Sequence, residues 1–367
     1  MKIAQIVCSF PPYKGGIGNS AWRLAKLLEN DSVTTFTPRY NQKNTNSELT
    51  AKYLPALFKL GQAAILPGLF FKLKKFSTII FHYPFFGTAE VLWFYRLFHR
   101  QQTLMVFYHM DVSSFSLLYK ILSWPGRLAG KSLLNQADHI VCSSLDYIKH
   151  SQIAKLYEKS PDKFREIPFA IDTDKFTPLD KSNETKKLLF VGGLDKAHYF
   201  KGVDILIIAC SQLKSNNWHL TIVGDGKLKT GYQALTKKLY LEKKIKFTGK
   251  LSDNELKQTY QKSDVLILPS INQNEAFGLV ILEALASGLA IIASNLPGVR
   301  SVFNSQTGLT AKPKNSQDLA TKINQLISNG PKLKNLQLAA RQLAKEKYNL
   351  QTARESWKKL IYEDRSN

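Results

Sequence analysis

The chain has 367 residues, more than a single hydrophobic core usually organises, so two domains of ordinary size are expected. Its 44% hydrophobic and 22% charged residues speak against a disordered or membrane-spanning chain, and a net charge of +23 asks for an anionic partner: a nucleic acid, an anionic bilayer or a phosphorylated ligand. The excess is not a basic tail, because 21 basic against 10 acidic residues through Pro168 leave a similar surplus in the remainder.

In chain order, MKIAQIVCSF has one lysine and runs into Pro11 and Pro12 without the apolar length or cleavage site of a secretory signal, so it reads as a buried first strand. Cys8, Cys142 and Cys210 are odd in number, widely spaced and form no C-x-x-C, which points to a reducing cytosol rather than a disulfide or zinc framework. Gly15 and Gly16 follow that strand. After the run TTFTP, no acidic residue occurs between Glu48 and Glu90, while Lys52, Lys59, Lys72, Lys74 and Lys75 punctuate Leu54, Leu57, Phe58, Ile65, Leu69, Phe70 and Phe71. Lys59, Gly61, Gln62, Pro67 and Gly68 interrupt this stretch too often for a transmembrane helix. Two readings stay open: peripheral contact with an anionic membrane surface through residues 52–75, or a lysine-edged helix packing its apolar face on the domain.

The runs TIIFHY, LMVFYH and HIVCSS complete a first series of strands, and LLFVGG, HLTIVG, KIKFTG, VLILPS and AIIAS form a second, with helical segments between them. Such alternation predicts parallel sheets covered by helices on both faces, with ligands at the carboxyl ends of the strands. His109 ends one such strand. Between the series, IPFAIDTDKFTPLDKSNETKK reads as a linker, which puts a boundary near residues 168–186. From about Pro331 the pattern is helical, with Leu336, Ala339, Leu343, Tyr348, Ala353, Trp357 and Ile361 spaced for buried faces.

Glu275-Ala-Phe-Gly-Leu-Val-Ile-Leu-Glu283 is the sharpest signal. A strand ends at Pro269 and Ser270, a polar loop follows, and an apolar helix then runs toward Gly288, a suitable C-terminal cap. The amides of Phe277, Gly278 and Leu279 are expected at the positive end of that helix, where a phosphate is favoured. Glu283 can accept hydrogen bonds from hydroxyls. Two carboxylates would repel a bare anion, so the pattern suits a ligand with both a pyrophosphate and sugar hydroxyls.

In this setting Glu-x7-Glu resembles the donor-binding motif of the family-4 glycosyltransferases, and nearly the whole chain follows that family's order. The matching features are Gly15-Gly16, His109-x-Asp111, a linker similar to I-P-x-x-x-D-x-x-x-F, VGG…KG at Val191 to Gly202, IVGDG at Ile222 to Gly226, Pro297-Gly298 and Thr307-Gly308-Leu309. The resemblance implies an α/β fold of GT-B architecture, two Rossmann-like doubly wound parallel-sheet domains facing a cleft. It implies an acceptor-side domain over 1–170, a nucleotide-sugar-binding domain over 171–345, and a C-terminal helix over 346–367 that returns to the first domain. It also implies a retaining transferase that needs no metal or other cofactor, with a UDP- or GDP-sugar as donor and a hydroxyl acceptor, such as a lipid-linked saccharide. Localisation would be cytoplasmic, on the inner face of the membrane.

Carried over residue by residue, the resemblance assigns Glu275 to the hydroxyls of the transferred sugar, Glu283 to the ribose and Lys201 to the leaving diphosphate. Gly15 and Gly16 would let backbone amides approach the same diphosphate, Leu251 would lie near the base, and His109 would stand beside the reacting sugar. The catalytic set is thus His109, Lys201 and Glu275. Where the family often has an arginine, this chain has Gly193, and Lys196 or His198 in the longer loop LDKAHYFKG could supply the missing donor. Asp172-Thr173-Asp174 imitates a metal-binding D-x-D but falls in the linker. A nicotinamide dehydrogenase lacks its G-x-G-x-x-G here. The +23 charge alone favours a nucleic-acid binder, but no recognised motif accompanies it, so no nucleic-acid partner is expected. An epimerase or phosphorylase of the same architecture stays open.

Overall fold

A computed structural model of the chain describes residues 2–11, 16–29, 31–40, 51–112, 123–179 and 185–363. They fall into two compact units, Met1–Pro168 with Leu360–Asn367, and Phe169–Lys359.

The first unit is built on seven parallel strands in the order β3-β2-β1-β6-β7-β8-β9, namely Ala51–Leu54, Ser32–Pro38, Lys2–Ile6, Thr78–Tyr83, Thr103–Tyr108, His139–Cys142 and Phe164–Glu166. All six residues of β6 are buried, as a central parallel strand covered on both faces requires. The helix Gly16–Leu27 sets Ala21 and Ala25 against Val7 and Phe10. The order in which strands are added reverses between β1 and β6, which leaves a crevice beyond their carboxyl ends.

Residues 52–75 do not form the lysine-edged helix that was one expectation. They contain β3, the antiparallel hairpin β4 (Phe58–Leu60) and β5 (Ala63–Ile65), the one-turn helix Leu69–Lys72 and a 3-10 turn. Gly61 at φ 58° turns the hairpin, and Pro67-Gly68 interrupts the chain again before the helical turn, so no continuous helix can form.

The second unit has six parallel strands in the order β12-β11-β10-β13-β14-β15, with β10 Lys186–Val191, β11 Trp218–Val223, β12 Ile245–Gly249, β13 Val265–Leu268, β14 Ala290–Ser294 and β15 Gly308–Ala311. Counted from β10 this is 3-2-1-4-5-6, the dinucleotide-fold order whose switch point lies between β10 and β13. Period-two alternation divides the core. Leu188, Phe190, Val265 and Ile267 pack with Val203, Leu206 and Ile323 on one face. Leu189, Leu266 and Leu268 pack on the other with Ile281, Leu282 and Leu285 of the helix Leu279–Ala286. Each of these side chains contributes roughly 1.5–3 kcal/mol by leaving water.

The C-terminal pattern forms two helices, Gly330–Lys347 and Leu350–Glu363. In the first, the buried stripe is Leu333, Leu336, Ala340 and Ala344, while Ala339 and Leu343 are only half-buried, one step around the helix from the expected face.

Candidate functional site

At the switch point of the second unit, the segment after β10 meets the segment after β13. A 3-10 turn over Lys196–Lys201 ends at Gly202, in the left-handed region at φ 66°, and the helix Val203–Ser211 begins there. A side chain at Gly202 would stand 2.2 Å from the carbonyl oxygen of Pro269, so the two segments touch backbone to backbone. The amide of Ile271 donates to the carbonyl of Phe200 at 2.7 Å and fastens them.

This contact carries Lys201 to Glu275. The Lys201 Nζ donates to Oε2 of Glu275 at 2.7 Å, and the Ser270 hydroxyl donates to the same oxygen at 3.2 Å. Room for the lysine comes from Gly192, where a Cβ would lie 2.6 Å from its Cδ. Gly193 is filled likewise: a Cβ there would meet Nδ1 of His198 at 2.7 Å. The ring of His198 therefore stands over the position from which the family arginine would project.

Glu275 is followed by Phe277 and Gly278. The ring of Phe277 is buried edge-on against Phe169, with centroids 5.2 Å apart, so only its backbone is available to a ligand. Gly278 is the N-cap, at φ 83°, and caps the helix Leu279–Ala286 with no side-chain oxygen. On this helix Glu283 accepts a 2.8 Å hydrogen bond from the hydroxyl of Tyr260, a fully buried residue, which orients the carboxylate. Leu251 is half-buried against the same core, just before the helix Asp253–Lys262 and its Ser252–Glu255 capping box. In the linker, Asp172 accepts from the amides of Asp174 at 3.0 Å and Lys175 at 2.9 Å, a local turn that occupies the first carboxylate of the D-x-D imitation.

In the first unit, Gly15 lies outside the described residues. Gly16, exposed, opens the helix Gly16–Leu27. It borders a cavity of about 320 Å³ at the β1–β6 switch point, walled also by Ser9, Pro84, Phe86, Met110 and Asp111. His109 is buried beneath this wall, its amide donating to the carbonyl of Tyr83 at 3.0 Å. Its Nε2 is 2.7 Å from Nδ1 of His82 on the neighbouring strand. Burial pulls the His109 imidazole down from its ordinary value to about 3, and burial first, then the neighbouring His109, also lowers His82. Asp111 accepts from the hydroxyl of Tyr108 at 2.5 Å and from the amide of Gln152, so it clamps the loop after β7.

The structure thus joins Lys201 with Glu275 and places both beside the N-terminus of the helix that carries Glu283. His82, Tyr260 and Ser270 were not anticipated. The signal for His82 was available, since a histidine inside the apolar run TIIFHY needs a partner when buried. Residues 172–343 match the family model described as glycosyl transferases group 1. That match covers most of the second unit, which is similar to this family. The chain is 31% identical over 231 residues to the D-inositol 3-phosphate glycosyltransferase of Corynebacterium aurimucosum, covering 56% of this chain and 52% of that protein. It therefore spans about half the length of that relative. Its fold is that of GT-B glycosyltransferase structures. The Anabaena protein HepE, solved in complex with UDP, superposes with a TM-score of 0.79 at 19% identity, covering 99% of this chain and 100% of the other. The sucrose-phosphate synthase of Thermosynechococcus elongatus superposes at 0.78 with 20% identity, covering 100% and 99%.

Proposed function

We propose that this chain is a glycosyltransferase that moves a sugar from a UDP- or GDP-sugar to a hydroxyl acceptor with retention and without a metal ion. The observation that carries the reading is the Lys201–Glu275 pair beside the N-terminus of the helix Leu279–Ala286. An ammonium has three donors. Glu275 takes one and thereby aims Lys201, whose other donors suit oxygens of a leaving diphosphate. Helix amides from Phe277 to Leu279 add partial positive charge at the same place. Glu275 accepts from hydroxyls of the transferred sugar, Glu283 accepts from the ribose, and Leu251 borders the base. In the reaction the acceptor oxygen bonds to the anomeric carbon, the bond from that carbon to the diphosphate oxygen breaks, and that oxygen takes the hydroxyl proton. Charge stabilisation in such sites is worth about 10²–10³ in rate per donor. His198 is the candidate for the role of the absent arginine, since its ring fills the space over Gly193. Thermal stabilisation by a panel of nucleotide sugars, followed by release of the nucleoside diphosphate only when an acceptor is present, tests the reading. A free epimerised sugar nucleotide, or transfer to phosphate, would replace it with the epimerase or phosphorylase reading.

The acceptor belongs to the first unit, residues 1–170 in outline, and is presented at an anionic membrane on the inner, cytoplasmic face. Support comes from exposed apolar side chains among lysines: Leu57, Phe58 and Leu60 on the hairpin, and Phe71, which is 79% exposed. The patch reaches beyond residue 75, because Phe70 packs its ring against Phe71, Phe94 and Phe98, the last of these 64% exposed. Aromatic residues beside Lys72, Lys74 and Lys75 suit an interface with anionic headgroups. Co-sedimentation with vesicles containing phosphatidylglycerol is expected, with loss in Phe71→Ser/Phe98→Ser. Equal binding by that variant would remove the patch from the reading.

A further inference from the structure

Within the second unit a cavity of about 530 Å³ lies between the linker residues Pro178 and Leu179, Gly288, and one face of the helix Gly330–Lys347. Lys334, Leu338, Arg341 and Lys345 follow one another at steps of four, three and four, so they form a single stripe along that face. None of the described residues that wall the cavity is acidic. Lys334 and Lys345 make no ion pair among the described residues, although like charges one turn apart on a helix repel, as Arg341 and Lys345 must. Arg341 is the fixed member of the stripe. Its Nη1 donates to the carbonyls of Thr173 at 2.9 Å, Phe176 at 2.8 Å and Ala286 at 2.7 Å. These bonds hold the linker and satisfy a terminal carbonyl of the helix Leu279–Ala286, and they fix the plane of the guanidinium. They occupy one nitrogen of three. Nε and Nη2 have no hydrogen-bond partner among the described residues and are not sealed in the interior, so capping the helix leaves their donors, and both lysines, without a role. Asp174 attracts the guanidinium from the linker but does not wall the cavity.

We infer that this cavity binds a small phosphorylated molecule, with its phosphate on Arg341 and Lys345, added charge from Lys334 two turns away, and its body against Pro178, Leu179 and Leu338. The Nε and Nη2 edge of an immobilised guanidinium matches two phosphate oxygens at once, and the cavity has the volume usual for small ligands. Leu179 and Leu338 are 51% and 61% exposed, apolar surface that such a body would cover. The site is separate from the one beside Lys201. Ala286 and Gly288 stand at the carboxyl end of the helix Leu279–Ala286, whose eight residues put its amino end at Gly278 roughly 12 Å away. The inference therefore does not depend on the transferase reading, and it gives part of the +23 charge an anionic partner.

The test is calorimetric titration of the full chain with phenyl phosphate at low ionic strength, in the wild type and in Lys201→Met, where phosphate binding at the other end of the helix is weakened. Both are expected to bind it in the cavity. Adding Lys334→Glu/Lys345→Glu to either reverses two exposed charges and lets residue 345 pair with Arg341 one turn away, so affinity should fall at least about tenfold while the unfolding midpoint stays near that of the parent. Benzoate carries the same ring with a single negative charge and should bind at least about tenfold more weakly than phenyl phosphate. Added salt should weaken the binding further. No binding in Lys201→Met, or affinity unchanged by the charge reversal, overturns the inference. Benzoate bound as tightly as phenyl phosphate overturns the choice of a phosphorylated ligand.

Discussion

Lys201 Nζ and Glu275 Oε2 stand 2.7 Å apart across the β10–β13 switch point, with the two side chains only 13% and 11% exposed. Seventy-four positions separate them in sequence. Removing one partner leaves the other charged and largely buried, a change that costs about 3–5 kcal/mol in well-buried pairs and somewhat less here because some solvent reaches both groups.

Glu275→Gln and Lys201→Met should therefore each lower both the unfolding midpoint and transfer activity, the latter by at least about 100-fold. The double variant should regain much of the stability and none of the activity. Calorimetry beside a transfer assay separates the two effects; a double variant as unstable as the singles would show that the pair is not what holds the segments together.

Tyr260→Phe removes the hydroxyl that orients Glu283. A hydrogen bond of this kind contributes about 1.5–3 kcal/mol when one partner is charged, of which ligand binding reads a part. Donor KM should rise several-fold while kcat stays near wild type, and Glu283→Ala should raise KM further. Unchanged KM in both variants would detach Glu283 from the donor.

Gly224 and Gly193 should respond differently to alanine. Gly224 has φ 144°, and its added Cβ would lie 1.8 Å from the carbonyl oxygen of Gly192, which no side-chain motion relieves. Gly193→Ala meets only the ring of His198, a half-exposed side chain that can swing aside. Urea unfolding should show a loss of more than about 2 kcal/mol for Gly224→Ala and under about 1 kcal/mol for Gly193→Ala. Similar losses would mean that the His198 ring is held as firmly as backbone.

Acidification should destabilise the protein through His82 and His109. Both are held below their unfolded value by burial, so as pH falls below about 6.5, for His109 down to about 3, the unfolded chain binds protons that the folded chain refuses. Their stabilising contribution is complete above pH 6.5 and falls as pH drops, by up to about 1.4 kcal/mol per pH unit for each proton. The unfolding midpoint should fall from pH 7 to pH 5, and by less in His82→Leu/His109→Leu than in wild type. Parallel pH profiles for the two would assign the acid sensitivity elsewhere.

Ten strands were readable in the sequence because a parallel strand covered on both faces is a continuous apolar run. The strands that escaped notice, β3, β4, β5, β9 and β15, have three or four residues each, too few to show a period. The stretch 52–75 misled for a related reason: its apolar residues belong to a strand, a hairpin and a helical turn in succession, and composition does not distinguish those from one helix. The local setting of Glu275 and Glu283, a strand end, a polar loop and an apolar helix, was legible because it is contiguous in the chain.

By itself, then, the sequence determined the succession of buried strands and helices, the resemblance of the second unit to one family and the segment that carries its two glutamates. Each of these rests on residue type and short-range spacing, where burial and backbone preference act directly. Tertiary structure alone decided which groups meet: Lys201 with Glu275, Tyr260 with Glu283, His82 with His109, and the ring of His198 over Gly193. The physical reason is that hydrophobic patterning dictates which face of an element is covered but is indifferent to the identity of polar neighbours. Those pairs arise only when strand order and register bring distant loops to the same end of a sheet.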